Sequence, residues 1–278
     1  MTYFGFLLRF LGIPLVVFVI LTLRDLRRGQ PATGFAGDRA TWKAIGLLVL
    51  VAVVYTTPWD NYLVASGVWY YQPRLISGIL LGWVPLEEYL FFILETVLTA
   101  LWWRFLARRL PLSGTFEPDK TMRIALPAIL GIIWLVSLLL LGMGWKPGTY
   151  LSLILAWGLP PVMLQLAFGA DILWHHRRLV IPAILPVFLY ISAADSLAIS
   201  GGTWTIDPAQ STGLFIGPLP VEEAVFFLIT VVMISFGLTL ALSRASSSRW
   251  KMPARQPARD RGEGAPQSAW PASDGPAR

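Results

Sequence analysis

The sequence contains no cysteine and only two histidines. Disulfides, iron–sulfur clusters and thiolate zinc sites are therefore excluded, and a histidine-rich metal centre has too few ligands. Charge is also scarce: charged residues make up 14% of the chain against 55% hydrophobic ones, with a mean hydropathy of +0.63. A soluble globule of that composition could not hide its apolar surface, so the chain is read as an all-α integral membrane protein. There is no glycine-rich dinucleotide fingerprint between a strand and a helix, no phosphate loop and no paired His-Glu zinc signature. Flavin or nicotinamide chemistry would need such a site, so no cofactor is expected and the chemistry points to acid–base work.

A span needs about 20 mainly apolar residues, and seven stretches qualify: 3–23, 43–60, 82–103, 123–143, 149–172, 179–199 and 214–242. The first lacks a basic start and a small-residue cleavage site, which reads as a retained helix. Nineteen of the 22 Lys and Arg residues fall between spans one and two, three and four, five and six, or after Leu242. By the positive-inside rule this places the N-terminus outside and the C-terminus in the cytoplasm, with the protein expected in the plasma membrane. His175 and His176, beside Arg177 and Arg178, read as a solvated basic turn. The segment 244–278, rich in Arg, Ala, Pro, Ser and Gly, reads as a disordered basic tail lying against anionic headgroups.

The chain repeats itself. Pro85-Leu86-Glu87-Glu88-Tyr89-Leu90-Phe91-Phe92 recurs as Pro220-Val221-Glu222-Glu223-Ala224-Val225-Phe226-Phe227, and the ungapped register of 135 positions also matches Asp60 with Asp195 and Trp69 with Trp204. Over residues 60–97 there are 12 identities in 38 positions, which marks an internal duplication. Helix two then corresponds to helix six and three to seven, with one and five as the third pair and helix four as connector. This 3+1+3 layout keeps both copies in one orientation about a pseudo-two-fold along the membrane normal. The expected units are a first repeat over 1–108, a connector over 109–145, a second repeat over 146–243 and the tail.

Ionisable groups at membrane depth are costly, so the repeated carboxylates are read first as functional. The bland alternative is an ordinary helix start, since Pro suits the first turn and Glu complements the helix dipole. For one copy alone the two readings balance; the doubled motif on two helices expected to meet at one axis favours chemistry. Glu87, Glu88, Glu222 and Glu223 gathered in a poorly solvated site would hold some protons and lose others, the equipment of a general acid and base. Glu95 lies seven residues beyond Glu88 on about the same face, while its repeat counterpart is Thr230, so the halves are chemically unequal. Asp60 and Asp195 are expected to end helices two and six, capping or hydrogen-bonding the loop over the site, with tuning of the glutamates as their second reading. Phe91, Phe92, Phe226 and Phe227 are read as packing, and in a site carrying a carbocation they would stabilise it with their ring faces.

The duplicated Pro-x-Glu-Glu-x-x-Phe-Phe, Asp60 and Asp195 and the 3+1+3 layout together resemble the small membrane lycopene cyclases of actinobacteria, archaea and fungi, here in the form with both halves fused. The resemblance covers about residues 1–242. It implies cyclisation of a linear carotenoid, lycopene or a relative of it, with Glu87, Glu88, Glu222 and Glu223 as the acid and base set and Glu95 as a deep acid. Pro85 and Pro220 would support that site. Neither a metal nor a cofactor is implied; membrane lipids are the expected surroundings, nucleic acid is no partner, and other carotenoid-pathway enzymes are conceivable neighbours. The tail has no counterpart in the resemblance and is expected to be dispensable. Two alternatives stay open: a carotenoid hydratase or a cyclase of longer carotenoids on the same scaffold, and a small transporter, which parallel triple-helix repeats also build.

Overall fold

The structure, a computed structural model, describes residues 1–29, 35–111 and 114–251. It is mostly helical, and among the described residues seven helices are long and apolar enough to cross a membrane. They are α1 (Tyr3–Arg27), α2 (Asp38–Ala65), α3 (Leu86–Ala107), α4 (Lys120–Gly142), α5 (Thr149–His175), α6 (Arg177–Ser200) and α7 (Val221–Leu242). Helices α3 and α7 touch at the centre; α1, α2 and α6 pack around α3, and α2, α5 and α6 around α7. Helix α4 lies outside, against α5.

Two spans start later than hydropathy alone suggests. Residues 82–85 and 214–220 are apolar yet not helical, because each belongs to a tight hairpin: β2 (Leu80–Leu81) pairs with β3 (Val84–Pro85), and β5 (Phe215–Ile216) with β6 (Leu219–Pro220). The turns pivot on Gly82 and Gly217 at φ 73° and 61°, a region that side chains with a Cβ avoid. Pro85 and Pro220 end these hairpins as the N-caps of α3 and α7, one residue ahead of the expected first turn.

The connecting loops meet across the two halves. Strand β1 (Trp69–Tyr71) pairs antiparallel with β4 (Trp204–Ile206), and Tyr70 stands opposite Thr205, its own repeat counterpart. The flanking bonds are reciprocal: Gln72 N donates to Thr203 O at 3.2 Å and Asp207 N to Val68 O at 2.8 Å.

Prolines inside the spans free carbonyls four residues earlier, and in hydrocarbon a freed carbonyl must find another donor. For four of these prolines an aromatic side chain supplies it. Tyr190 Oη donates to Phe10 O, released by Pro14, at 3.0 Å; Tyr55 Oη donates to Trp157 O, released by Pro161, at 2.8 Å. The Trp134 indole serves Ala156 O, ahead of Pro160, at 3.1 Å, and the Trp102 indole serves Pro182 O, ahead of Pro186, at 2.9 Å. These bonds stitch α6 to α1, α2 to α5, α4 to α5 and α3 to α6.

At the opposite end from the hairpins the charges are paired. Arg109 holds Asp25 with bonds of 2.9 and 2.8 Å, and Arg104 and Arg108 share Asp38. The expected disordered tail starts instead with a short helix, α8 (Arg244–Lys251), since Arg249 reaches the buried Asp171 at 2.6 and 3.1 Å and also the carbonyl of Phe168. The remainder of the tail, from 252, lies outside the described residues. Ending the chain after residue 243 is therefore expected to cost about 2–3 kcal/mol by taking the guanidinium from the buried Asp171, which keeps only the backbone N–H groups of Asp119 and Ile172, whereas ending it after 251 should not; thermal inactivation rates of the two truncations check this.

His176 is not in a solvated turn. It is buried, with its ring 4.8 Å from that of Phe35 and Nε2 3.0 Å from Ser243 Oγ. Burial, with a smaller contribution from His175, lowers its pKa to about 4. A folded-state value below the unfolded 6.5 means that the unfolded chain takes up the proton first, so this contribution is complete above pH 6.5 and is lost as pH falls towards 4. Inactivation rates of the parent and of His176→Gln across that window should converge as the pH drops.

Candidate active site

The repeated glutamates start α3 and α7, and the two members of each pair point to different partners. Glu87 folds back on its own loop, accepting from Ser77 N at 2.5 Å and Ser77 Oγ at 3.0 Å. Glu222 does the same at the equivalent place: its Oε1 accepts from Thr212 N at 2.6 Å, Thr212 Oγ1 at 2.7 Å and Ser211 Oγ at 3.1 Å. The second member looks inward. Glu88 Oε2 accepts from Tyr3 Oη at 2.6 Å and Tyr71 Oη at 2.9 Å, and Glu223 Oε1 accepts from Tyr150 Oη at 2.6 Å.

Glu88 and Glu223 line one small cavity of about 30 Å³ between the halves, together with Asp195 and the rings of Phe91, Phe226 and Phe227. Tyr3, Tyr71, Trp69 and Trp204 close it on the loop side. Burial and the adjacent Glu88 carboxylate hold the Tyr71 hydroxyl well above the usual tyrosine range, so it stays a donor. Phe91 and Phe227 meet edge to face at 6.1 Å across the α3–α7 seam. Phe92 turns the other way, towards a flank of the molecule.

Glu95 lies two turns further along α3, about 10 Å beyond Glu88, and is buried. Its Oε1 accepts from the hydroxyl of Thr230 at 2.8 Å, so this carboxylate meets its own repeat counterpart. Asp60 and Asp195 do not end their helices: α2 and α6 run on to Ala65 and Ser200, because the chain stays apolar and helical for one more turn, but Asp195 does hydrogen-bond the outer loop through the side chain of Trp204. Both aspartates are buried inside the helices, and neither oxygen of Asp60 has a hydrogen-bond partner among the described residues. Among the described residues, no three His, Asp or Glu side chains converge as metal ligands.

The repeated motif does not point to these tyrosines, but two of them carry a sequence signal of their own. Thr2-Tyr3 and Thr149-Tyr150 open α1 and α5, with Leu8 and Pro14 matched by Leu155 and Pro161. Their register is 147 positions and not 135, so an ungapped comparison passes over them.

Comparison with known proteins agrees in one direction. The family described as "Lycopene cyclase" matches residues 36–106 and 147–241. A lycopene beta-cyclase of Halobacterium salinarum is 39% identical over 247 residues, covering 86% of this chain and 95% of that protein. A bifunctional lycopene cyclase/phytoene synthase of Podospora anserina is 37% identical over 205 residues, covering 70% of this chain and 34% of that protein. One from Aspergillus oryzae is 35% identical over 206 residues, with 72% and 34% covered. No solved structure matches the chain.

Proposed function

The chain belongs to the lycopene cyclase family, and on that premise we propose that it converts lycopene to a carotene with β-type end rings by proton-initiated cyclisation. The observation that carries the chemistry is the pair Glu88 and Glu223, two buried carboxylates from equivalent places in the repeat, each gripped by tyrosine hydroxyls on one aromatic-walled cavity. A carboxyl group protonates the terminal double bond. The neighbouring double bond attacks the resulting cation and closes the ring, and a carboxylate then removes a ring proton to leave the new double bond. One proton enters and one leaves, so the reaction is an isomerisation without redox change. A water-poor site makes such transfers effective, and the faces of Phe91, Phe226 and Phe227 suit the transient cation.

The tyrosines orient the two carboxylates, each donating to one oxygen and leaving the other without a tyrosine. Glu95 is a further acid candidate, deeper along α3. Glu87 and Glu222 serve the site by pinning the loops that cover it, and Pro85 and Pro220 start the helices that carry it. Asp60 and Asp195 stand behind the glutamates as a second pair of buried carboxyl groups.

The 3+1+3 arrangement is part of this reading, with the repeats over 1–108 and 146–243. Its support is the self-pairing of equivalent residues, Tyr70 with Thr205 and Glu95 with Thr230, as expected on a two-fold axis. A plasma-membrane setting with the N-terminus outside rests on the basic residues, which gather at the end of the bundle away from the glutamates. Lipids would then surround the exposed apolar flanks.

Expression in a host that accumulates lycopene, with the pigment identified by chromatography, tests the proposal. Yellow cyclic carotenes are the expected result. A hydroxylated product would indicate a hydratase instead, and unchanged lycopene beside correctly inserted protein would sink the activity.

A further inference from the structure

Two larger clefts open on the flanks. One, of about 240 Å³, lies between α2 and α5, with α3 and α7 behind it. The other, of about 290 Å³, lies between α1 and α6, with α3 behind it. They are counterparts under the repeat: Tyr55 and Pro161 stand in the first where Tyr190 and Pro14 stand in the second. Their floors differ. The α2/α5 cleft descends from an exposed apolar rim, with Val51 48% and Leu164 73% exposed, to the buried Glu95, Thr230, Phe92 and Phe226. The α1/α6 cleft ends on Leu98 and Trp102 and carries no carboxylate among the described residues.

The α2/α5 cleft also shares a wall with the central cavity, for Phe226 lines both. Its ring stacks on Trp59 at 5.7 Å and on Trp157 at 5.9 Å, forming a thin aromatic partition. Among the described residues, none that lines the α1/α6 cleft lines the cavity. The central cavity, at about 30 Å³, cannot itself take a terminal ring, since a benzene ring occupies a cavity of about 150 Å³. A wall must move, and the wall with open space behind it is Phe226.

We infer that the α2/α5 cleft is the entrance through which one end of the linear carotenoid passes from the bilayer to Glu88 and Glu223, with Phe226 as the movable partition, and that its α1/α6 counterpart admits no substrate. The inference rests on the lycopene reading above. A flat polyene suits walls made of Trp157, Phe226 and Phe92, and the floor offers it a carboxylic group for which a saturated lipid tail has no use. One entrance for a molecule with two reactive ends means that the ends are taken in turn, with the monocyclic product released in between.

Because the chain has no cysteine, Ala52→Cys puts a lone thiol in the α2/α5 cleft, and Val187→Cys puts one at the repeat-equivalent place in the other. Membranes containing lycopene are treated with benzyl methanethiosulfonate, the adduct is followed by mass, and dithiothreitol then removes it. Conversion should fall about 10²-fold on the Ala52→Cys adduct, return on reduction, and stay within about twofold on the Val187→Cys adduct. Leu164→Cys, on the facing rim, should repeat the first result from α5, so that the test does not hang on one variant. Full modification of Ala52→Cys and Leu164→Cys with conversion retained, as expected of a cleft filled only by lipid, overturns the inference. So does equal loss in Val187→Cys. Failure of the lycopene reading looks different: the parent and the unmodified variants would then make no cyclic carotene at all.

Discussion

Replacing Glu88 or Glu223 by Gln should each lower cyclisation by about 10²–10⁴-fold per inserted molecule, the usual worth of a positioned acid or base. The amide keeps the shape of the side chain and its carbonyl can still accept from Tyr3, Tyr71 or Tyr150, so insertion and thermal stability should change little. What is lost is the exchangeable proton of the acid or the basicity of the carboxylate, and the double variant should be hardly worse than either single one, because the two groups serve one proton-in, proton-out cycle. Glu87→Gln is the comparison that gives the result meaning. Glu87 belongs to the same motif and is equally buried, but its oxygens are engaged with Ser77 and it does not line the cavity. If Glu87→Gln fell as far as Glu88→Gln at equal stability, the division of labour within each Glu-Glu pair would be wrong. Pigment conversion, normalised to the amount of inserted protein, decides between the two outcomes.

Much of this arrangement can be read from the chain alone, and the parts that cannot share a physical cause. Hydropathy finds all seven spans because a bilayer demands long apolar stretches, but it runs past Gly82 and Gly217: a hairpin of Leu, Ile and Phe has the same hydropathy as a helix of them. Repetition finds the motif helices because their 135-residue register has no gap. It misses Tyr3 and Tyr150 because the loops between α5 and α6 and between α1 and α2 differ in length, so the register of the opening helices slips to 147. Adjacent glutamates look alike in a sequence, and only backbone geometry separates them. At the second and third positions of a helix, neighbouring side chains diverge by about 100°, which turns Glu87 and Glu222 to the loop and Glu88 and Glu223 to the seam. Asp60 and Asp195 looked like caps because they precede a Gly and Trp loop, yet no local rule stops α2 and α6 there.

Glu222→Ala should destabilise the protein by about 2–4 kcal/mol while leaving the chemistry of the surviving folded molecules close to normal. The carboxylate gathers three donors, the backbone N–H and hydroxyl of Thr212 and the hydroxyl of Ser211, at the point where the covering loop turns into the β5–β6 hairpin. Removing it leaves the Thr212 backbone N–H without its acceptor and a void under the loop, since Glu222 is wholly buried. The loop also carries β4, whose pairing with β1 joins the two halves above Glu88 and Glu223, so its loosening weakens the cover of the site as a unit. A rise in thermal inactivation rate with initial conversion preserved at low temperature is the expected pattern. Thr212→Ala, which removes one hydroxyl and keeps the backbone N–H bond, should show the same pattern at about 1 kcal/mol. Loss of initial conversion in Glu222→Ala at unchanged stability would instead move this glutamate from holding the loop to acting on substrate. The same outcome in Glu87→Ala would then be required by the repeat, because Ser77 stands in the first half where Thr212 stands in the second.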